Sequence, residues 1–435
     1  MDLFWTTGLH EGHVERIVQR AFRGYPGNLA VRLWTGGMLT FGSGTPDVTL
    51  VIRDPRLLRE LILFRDPLRL AEAYFQGRLD VEGDLYAALG LKDHLQFLSL
   101  SAFEKAAFLF TALSLGTPTA SSGLGVPTPC TRRSRLWWHR HSKAANRRAI
   151  AFHYDVSNAF YRLWLDEQMI YSCAYFETPD DSLDQAQRNK LEHICRKLRL
   201  KPGERLLDIG CGWGALIRWA ARYHGVQAHG ITLSRDQYDH CRTEIEAAGL
   251  QDQVAVEFRD YRDLQGDACY DKIVSVGMFE HVGLKNLPIY FNIAWRLLKP
   301  GGLFLNHGIT HDREGWRKSV GTRFINRYVF PDGELDTVGN VQRAMERSDF
   351  EILDVEALRR HYALTLRHWV RRLESREAEA VQQVSEPVYR IWRLYMAACA
   401  LQFERGDIGV YQILAARRDG TVQVPLTRRD LYVSG

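Results

Sequence analysis

The stretch RLLDIGCGWG, Arg205 to Gly214, decides the fold of this chain. An apolar, strand-like run leads into Asp208, glycines follow at 210, 212 and 214, and a helix-compatible run begins at Ala215. Glycines let a backbone turn tightly and come close to a ligand, and a new helix presents unpaired N–H groups to it. Taken alone the GxGxG pattern is weak, because dinucleotide folds and plain tight turns use it too. Asp208 shifts the balance: a carboxylate just ahead of the first glycine suits the ammonium of a methionine moiety better than a pyrophosphate.

Working outward, short β-rich segments alternate with helical stretches, as a parallel sheet with crossover helices requires. Strands are expected at Arg205–Ile209, Gln227–Thr232, Val254–Arg259, Tyr270–Val276 and Gly302–Gly308, with helices beginning near Ala215, Arg235 and Leu287. Pro300, Gly301 and Gly302 are expected to stop the last of these helices. Four further motifs, GITLSRDQ (230–237), DYRD (260–263), VSVGMFEHVG (274–283) and LLKPGG (297–302), fall at strand ends or just before a strand. Ligands of open α/β sheets bind at the carboxyl ends of the strands. The second strand usually delivers an acid to ribose hydroxyls, yet Gly230, Ile231 and Thr232 stand there, so Thr232 and Gln237 have to substitute. Tyr261 offers a ring to stack on adenine, although an aromatic after a strand is as often core. These five strands and their motifs suit an α/β, Rossmann-like class I methyltransferase domain, a fold whose mostly parallel sheet has seven strands, with S-adenosylmethionine as methyl donor.

The chain of 435 residues is long enough for two domains. GTPTASSGLGVPTP (116–129) cannot bury enough apolar surface to fold, which makes residues 116–148 a flexible basic linker. Before it, residues 1–115 offer helical spacing near Val14–Phe22, strands at Leu29–Leu33, Met38–Phe41 and Val48–Ile52, and helices around Leu57–Phe64 and Leu70–Gln76. A small α+β domain is expected there, with the catalytic domain over 149–435. With 46% hydrophobic and 25% charged residues the composition is that of a soluble globular protein. No apolar run is long enough to span a bilayer and no signal peptide is evident, so cytoplasmic residence is expected. Seven scattered cysteines without a CxxC pair argue against disulfides and zinc, and no metal is expected. The net charge is only +5, but no acid occurs from Lys105 to Tyr154, and RRSRLWWHRHSKAANRR (132–148) interleaves arginines with Trp137 and Trp138. A solvated linker and a nucleic-acid surface are both readings of such a stretch. An anionic membrane surface is preferred, since basic clusters gain roughly 1 kcal/mol per Lys or Arg there and tryptophans settle at headgroup level.

The stretches FHYDVSNAFYRLWLD (152–166), YSCAYFETPDDSLDQAQ (171–187), LLDIGCGWG, GITLS, FEHVG, NHGI (306–309) and YALTLRHW (362–369) resemble the cyclopropane-fatty-acyl-phospholipid synthases and the related mycolic acid cyclopropane synthases. The likeness runs from about Ala149 to Arg417, and YSCAYF and FEHVG are absent from ordinary small-molecule methyltransferases. The resemblance implies methylation of a cis double bond in an acyl chain, followed by ring closure when a bound bicarbonate takes a proton from the added methyl. It implies a bicarbonate cage of Cys173, Glu280, His307, Ile309 and Tyr362, with Tyr154 of HYDVS near the reacting centre. It implies cofactor contacts from Tyr171, Ser172, Gly210, Thr232, Gln237, Tyr261 and Arg262, beside Asp208, Gly212 and Gly214 of the turn. DYRD departs from the Trp-Glu pair of the mycobacterial members. The N-terminal part looks like the extra domain of the phospholipid-acting members, which implies an unsaturated phospholipid substrate and peripheral attachment to the inner face of the membrane. A homodimer is also implied.

An alkene has no proton to remove before methylation, so the first step rests on alignment with the sulfonium and tolerance of a carbocation. Aromatic faces serve both, and Tyr154, Phe160, Tyr161, Tyr175, Phe176 and Phe279 are available. The second step needs a base held by donors: His307 and Tyr362, with the backbone N–H groups of Cys173 and Ile309, while Glu280 accepts from the bicarbonate hydroxyl. On the residues alone, Cys173 reads equally as a small buried hydrophobe, Glu280 and His281 as a solvated pair, and His307 as a core histidine. A methyl-branched or methylene product is the alternative within the same fold. An RNA methyltransferase would want an N-P-P-Y or catalytic Cys motif after the fourth strand, and VSVGMFEHVG is neither; no nucleic-acid partner is expected.

Overall fold

The computed structural model describes residues 4–64, 66, 68–96, 143, 156–315, 319–330 and 333–432. The Gly/Pro/Ser-rich segment 116–129, the basic stretch apart from Lys143, and Tyr154 lie outside them. The described residues form two units, the first holding those up to Pro127 together with Ser385–Ala398, the second the remainder.

In the first unit the helix Phe4–Ala21 precedes strands β1 (Leu29–Arg32), β2 (Met38–Phe41) and β3 (Val48–Ile52), and β4 (Leu79–Gly83) follows the helices Arg56–Phe64 and Leu68–Phe75. The sheet order is β2-β1-β3-β4, with β1 and β3 parallel and the other pairs antiparallel. Val14, Val18, Leu29, Val31, Val48 and Ile52 form its core. β4 is not among the expected strands, although its LDVEG alternates apolar Leu79 and Val81 with Asp80 and Glu82. Asp80 is accommodated by a residue 310 positions away: Arg390, in the helix Glu386–Arg405, donates to its carboxylate at 3.2 and 3.3 Å and lies 5.0 Å from the Tyr74 ring centre.

The second unit is built on a seven-stranded sheet of β5 (Arg205–Ile209), β6 (Gln227–Thr232), β7 (Val254–Phe258), β8 (Tyr270–Val276), β9 (Leu298–His311), β10 (Phe350–Ala357) and β11 (Ile408–Arg417), in the order β10-β11-β9-β8-β5-β6-β7. Strands β5 to β9 are parallel to one another, and β11 pairs antiparallel with β9 and β10. Successive side chains of the central strands serve opposite faces. Leu206, Val274, Leu303 and Leu305 pack on the side of Ile217 and Ala220, whereas Leu207, Ile273 and Phe304 pack on the side of Tyr290, Phe291 and Ala294. From β5 the chain proceeds to β6 and β7 on one side and then crosses to β8 on the other, which puts the switch point, and hence the ligand crevice, between the carboxyl ends of β5 and β8.

One expected feature differs. The helix Leu287–Leu297 ends before Pro300, and the Pro-Gly-Gly lies inside β9, not at a helix end. Pairing with β8 jumps from Tyr270↔Leu298 to Lys272↔Leu303, so the intervening residues form a bulge. Gly301 there has φ +70°, and a Cβ on it would fall 2.4 Å from the Thr421 carbonyl oxygen. Among the described residues no helix is long and apolar enough to cross a membrane.

Candidate active site

A cleft opens over the switch point and is lined by the ends of β5, β6 and β8 together with Tyr171 and Ser172. Its floor is the glycine turn. The N–H groups of Gly210 and Cys211 both donate to the Ile231 carbonyl at 3.0 Å, which folds the turn back onto β6. Gly210 and Gly212 line the cleft with φ of +89° and +56°, and a side chain on Gly212 would meet open space. Gly214 acts on the helix instead. It caps Ala215–His224, and a Cβ there would lie 2.2 Å from Cys241 Sγ, so this third glycine seats the helix.

Asp208 lines the cleft, buried, with Oδ1 lacking a hydrogen-bond partner among the described residues. Burial pushes its carboxyl up to about 7, and the Lys190 ammonium opposes the rise. Lys190, from the helix Leu183–Leu198, is itself buried in the cleft wall and donates to Ser172 Oγ at 3.0 Å. Burial lowers it to about 8 against the attraction of Asp166 and Asp208. Thr232 and Gln237, the expected substitutes for a ribose-binding acid, bond each other, the Thr232 hydroxyl donating to Gln237 Oε1 at 2.8 Å, and both line the cleft. Tyr261 lies in the cleft edge-on to Tyr290, with ring centres 5.3 Å apart. Arg262 differs from the other expected cofactor contacts. It chelates Asp260 at 2.8 and 2.6 Å and is not among the residues lining the cleft, where Arg259 and Asp260 stand instead.

The expected cage residues are tied into two groups. Glu280 follows β8 in a short turn of helix, between Met278 and His281, which line the cleft. Its Oε1 accepts from the Ile309 N–H at 2.7 Å, while its Oε2 is buried without a hydrogen-bond partner among the described residues. The Ile309 N–H, expected as an anion donor, is therefore engaged by Glu280. Burial pushes the Glu280 carboxyl up to about 7, with the Ile309 N–H opposing. His307 lies two residues before Ile309 on β9, buried, with Nε2 also unpartnered, and burial plus the nearby Lys190 and Lys197 ammonium groups hold it down at about 3. The other group is Cys173 and Tyr362, which meet at one carbonyl: Cys173 Sγ lies 3.8 Å from Leu358 O, and the Tyr362 N–H donates to the same oxygen at 3.1 Å. Burial pushes the Cys173 thiol far up, which keeps it a thiol and removes it as a nucleophile.

Of the aromatic residues expected near the reaction, Tyr161 joins Trp164, Tyr171 and Trp213 in a cluster with ring centres 5.0 to 5.7 Å apart. Phe279 lies against Gly308, where a Cβ would come 2.0 Å from its ring. Tyr175 and Phe176 instead stack on histidines, Tyr175 on His193 and His361 and Phe176 on His368. Sequence reasoning missed Lys190 and Trp213, which lines the cleft and donates to Asn158 Oδ1 at 2.7 Å. A lysine in an amphipathic helix carries no local sign of burial; Trp213, inside the glycine turn, was open to notice.

The profile of the mycolic acid cyclopropane synthetase family matches residues 141–413. A probable fatty acid methyltransferase of Pseudomonas putida is 43% identical over 409 residues, covering 93% of this chain and 96% of that protein. The cyclopropane-fatty-acyl-phospholipid synthase of Escherichia coli K12 is 40% identical over 265 residues, 61% of this chain and 66% of that one. Among solved structures, a mycolic acid cyclopropane synthase complexed with SAH and CTAB is 34% identical with a TM-score of 0.59, covering 62% of this chain and 98% of that one. The cyclopropane synthase MmaA2 of Mycobacterium tuberculosis has the same TM-score at 33% identity, over 62% of this chain and 98% of that one. With the seven-stranded sheet and the cleft at its switch point, these matches establish that the chain belongs to the mycolic acid cyclopropane synthetase family and has the class I methyltransferase fold.

Proposed function

We propose that this protein transfers a methylene group from S-adenosylmethionine to a cis double bond of an unsaturated phospholipid acyl chain, closing a cyclopropane ring. The observation that carries the reading is two buried polar atoms without hydrogen-bond partners among the described residues, Glu280 Oε2 in the turn after β8 and His307 Nε2 on β9, whose neighbours Met278, His281 and Val276 line the cleft. A buried polar group left unpaired costs about 1 to 3 kcal/mol, so a guest that partnered both atoms would be held at this place. Bicarbonate fits this donor set: Glu280 can accept from its hydroxyl, and a neutral histidine and the Tyr362 hydroxyl can donate to its oxygens. When bound, bicarbonate supplies a base next to the added methyl.

The methionine end of the donor is matched by Asp208 for its ammonium and Lys190 for its carboxylate, both in the cleft wall. Thr232, Gln237 and Tyr261 take the nucleoside end. With the sulfonium held in line, the alkene carbon displaces the thioether: the S–C bond breaks, a C–C bond forms, and positive charge appears on the neighbouring carbon. Tyr171 and Trp213, which line the cleft, offer ring faces to that charge. Loss of a proton from the methyl frees the C–H electron pair to close the second C–C bond. Glu280, raised to about 7, is poised to receive that proton at neutral pH. The basic stretch 132–148 docks the protein on an anionic membrane surface on this reading; Lys143 within it forms an ion pair with Asp263.

A second reading rests on the relative that covers 93% of the chain, a probable fatty acid methyltransferase. The same first step then ends in proton loss from the acyl chain, leaving a methyl-branched alkene. One experiment separates the two. The full-length protein is incubated with S-adenosylmethionine, bicarbonate and vesicles of unsaturated phospholipid, and the acyl chains are examined by mass spectrometry before and after mild hydrogenation. A gain of one CH2 that resists hydrogenation supports the ring; a gain that takes up hydrogen supports the branched alkene; no gain overturns both.

A further inference from the structure

Behind His307 lies a polar chain that the chemistry described so far does not use. Gln412 of β11 stands opposite His307 of β9 in the antiparallel register and is fully buried. Its Oε1 is 3.1 Å from Lys197 Nζ, and its Nε2 is 3.4 Å from His307 Nδ1. Lys197, also buried, directs its ammonium at three acceptors: Gln412, Asp354 at 3.4 Å, and Glu356. Glu356 is held in turn by His193 Nε2 at 2.8 Å.

This arrangement leaves one assignment of protons. An ammonium only donates, so the Gln412 amide must turn its oxygen to Lys197 and its NH2 to His307. An amide NH2 also only donates, so Nδ1 of His307 must offer its lone pair. A neutral imidazole carries a single proton, and here it belongs on Nε2, the nitrogen with no partner among the described residues. We infer that Lys197 and Gln412 are positioning residues that lock His307 as the Nε2–H tautomer, presenting a fixed N–H donor to the anion bound beside Glu280. The inference rests on the proposed bicarbonate reading for the identity of that anion, but not for the tautomer. It also explains why a lysine is buried there: its charge orients an amide and disfavours a second proton on the histidine.

The test is histidine 15N NMR on the full-length protein, with the His307 signals identified by their loss in His307→Asn, and with [13C]bicarbonate titration read in parallel. The wild type is expected to show the Nε2–H pattern without any bicarbonate. Gln412→Glu keeps the length and the Lys197 contact but turns an acceptor toward Nδ1. The proton should move there, and bicarbonate affinity should fall about tenfold, as expected for losing one charge-assisted hydrogen bond, while S-adenosylmethionine affinity stays unchanged. Should that variant fail to fold, Lys197→Met frees the amide to rotate and should yield a mixture of tautomers. An Nδ1–H pattern in the wild type, or an unaltered pattern in both variants, overturns the inference. A shifted tautomer with unaltered bicarbonate affinity overturns its role toward the anion. A wild type that holds the Nε2–H form yet binds no bicarbonate supports the lock and counts instead against the cage.

Discussion

Asp208 stands next to last in β5 and Glu280 follows β8, the strand paired with it, and burial pushes both carboxyl groups to about 7. What surrounds them differs. Asp208 has the Lys190 ammonium nearby, whereas Glu280 has a backbone N–H on one oxygen and, among the described residues, nothing on the other. A carboxylate beside a buried cation is half of a receptor for a zwitterion; a carboxylate whose described partner is a neutral N–H can exchange a proton. On the proposed reading, a similar rise from the same cause serves two chemistries, and the neighbours decide which.

Replacing Glu280 separates the two corners most sharply. Glu280→Gln is expected to lower turnover about a thousand-fold, in the range of losing a general base, while calorimetry shows S-adenosylmethionine bound about as tightly as before. Parallel loss of binding would mean that the corners are one site. At the other corner, Lys190→Met should weaken S-adenosylmethionine binding about ten- to a hundredfold, the equivalent of one hydrogen bond to a charged group, with turnover at saturating cofactor little altered. Unchanged affinity would remove Lys190 from the receptor. The smallest effect concerns stability without ligand. The folded Asp208 holds its proton up to about 7 against an ordinary 3.8, so its ionisation costs stability increasingly as pH rises between those values, and the cost is complete above them. Asp208→Asn cannot ionise and should melt several °C higher than the wild type at pH 8, with the gain gone near pH 4. A lower melting temperature at pH 8 would show that ionised Asp208 stabilises the fold through Lys190.

The parts of this comparison were unequally legible in the sequence. Asp208 and the turn after it are contiguous, and their strand-turn-helix grammar gives the fold and the cleft; β5, β6 and β8 occupy the expected residues. Glu280 and His307 were visible only as members of motifs, because nothing in FEHVG or NHGI tells which atoms end without partners. Lys190, Lys197 and Gln412 were not legible at all. Each lies in an element whose periodicity is satisfied without it, and its meaning comes from partners 18 to 215 residues away. The Pro-Gly-Gly of LLKPGG misled for a related reason. Its local chemistry suits a helix end, but the approach of the Thr421 backbone, distant in sequence, makes it a bulge.

The Asp80–Arg390 pair has a consequence for how the chain is made. During synthesis β4 leaves the ribosome long before Arg390, and at roughly 5 to 20 residues per second the interval is about 15 to 60 s. Through that time the exposed Arg53 is the counter-charge left to Asp80 among its described ion-pair partners. The first unit to emerge is thus the one that must wait, its last piece arriving after most of the second unit has been translated.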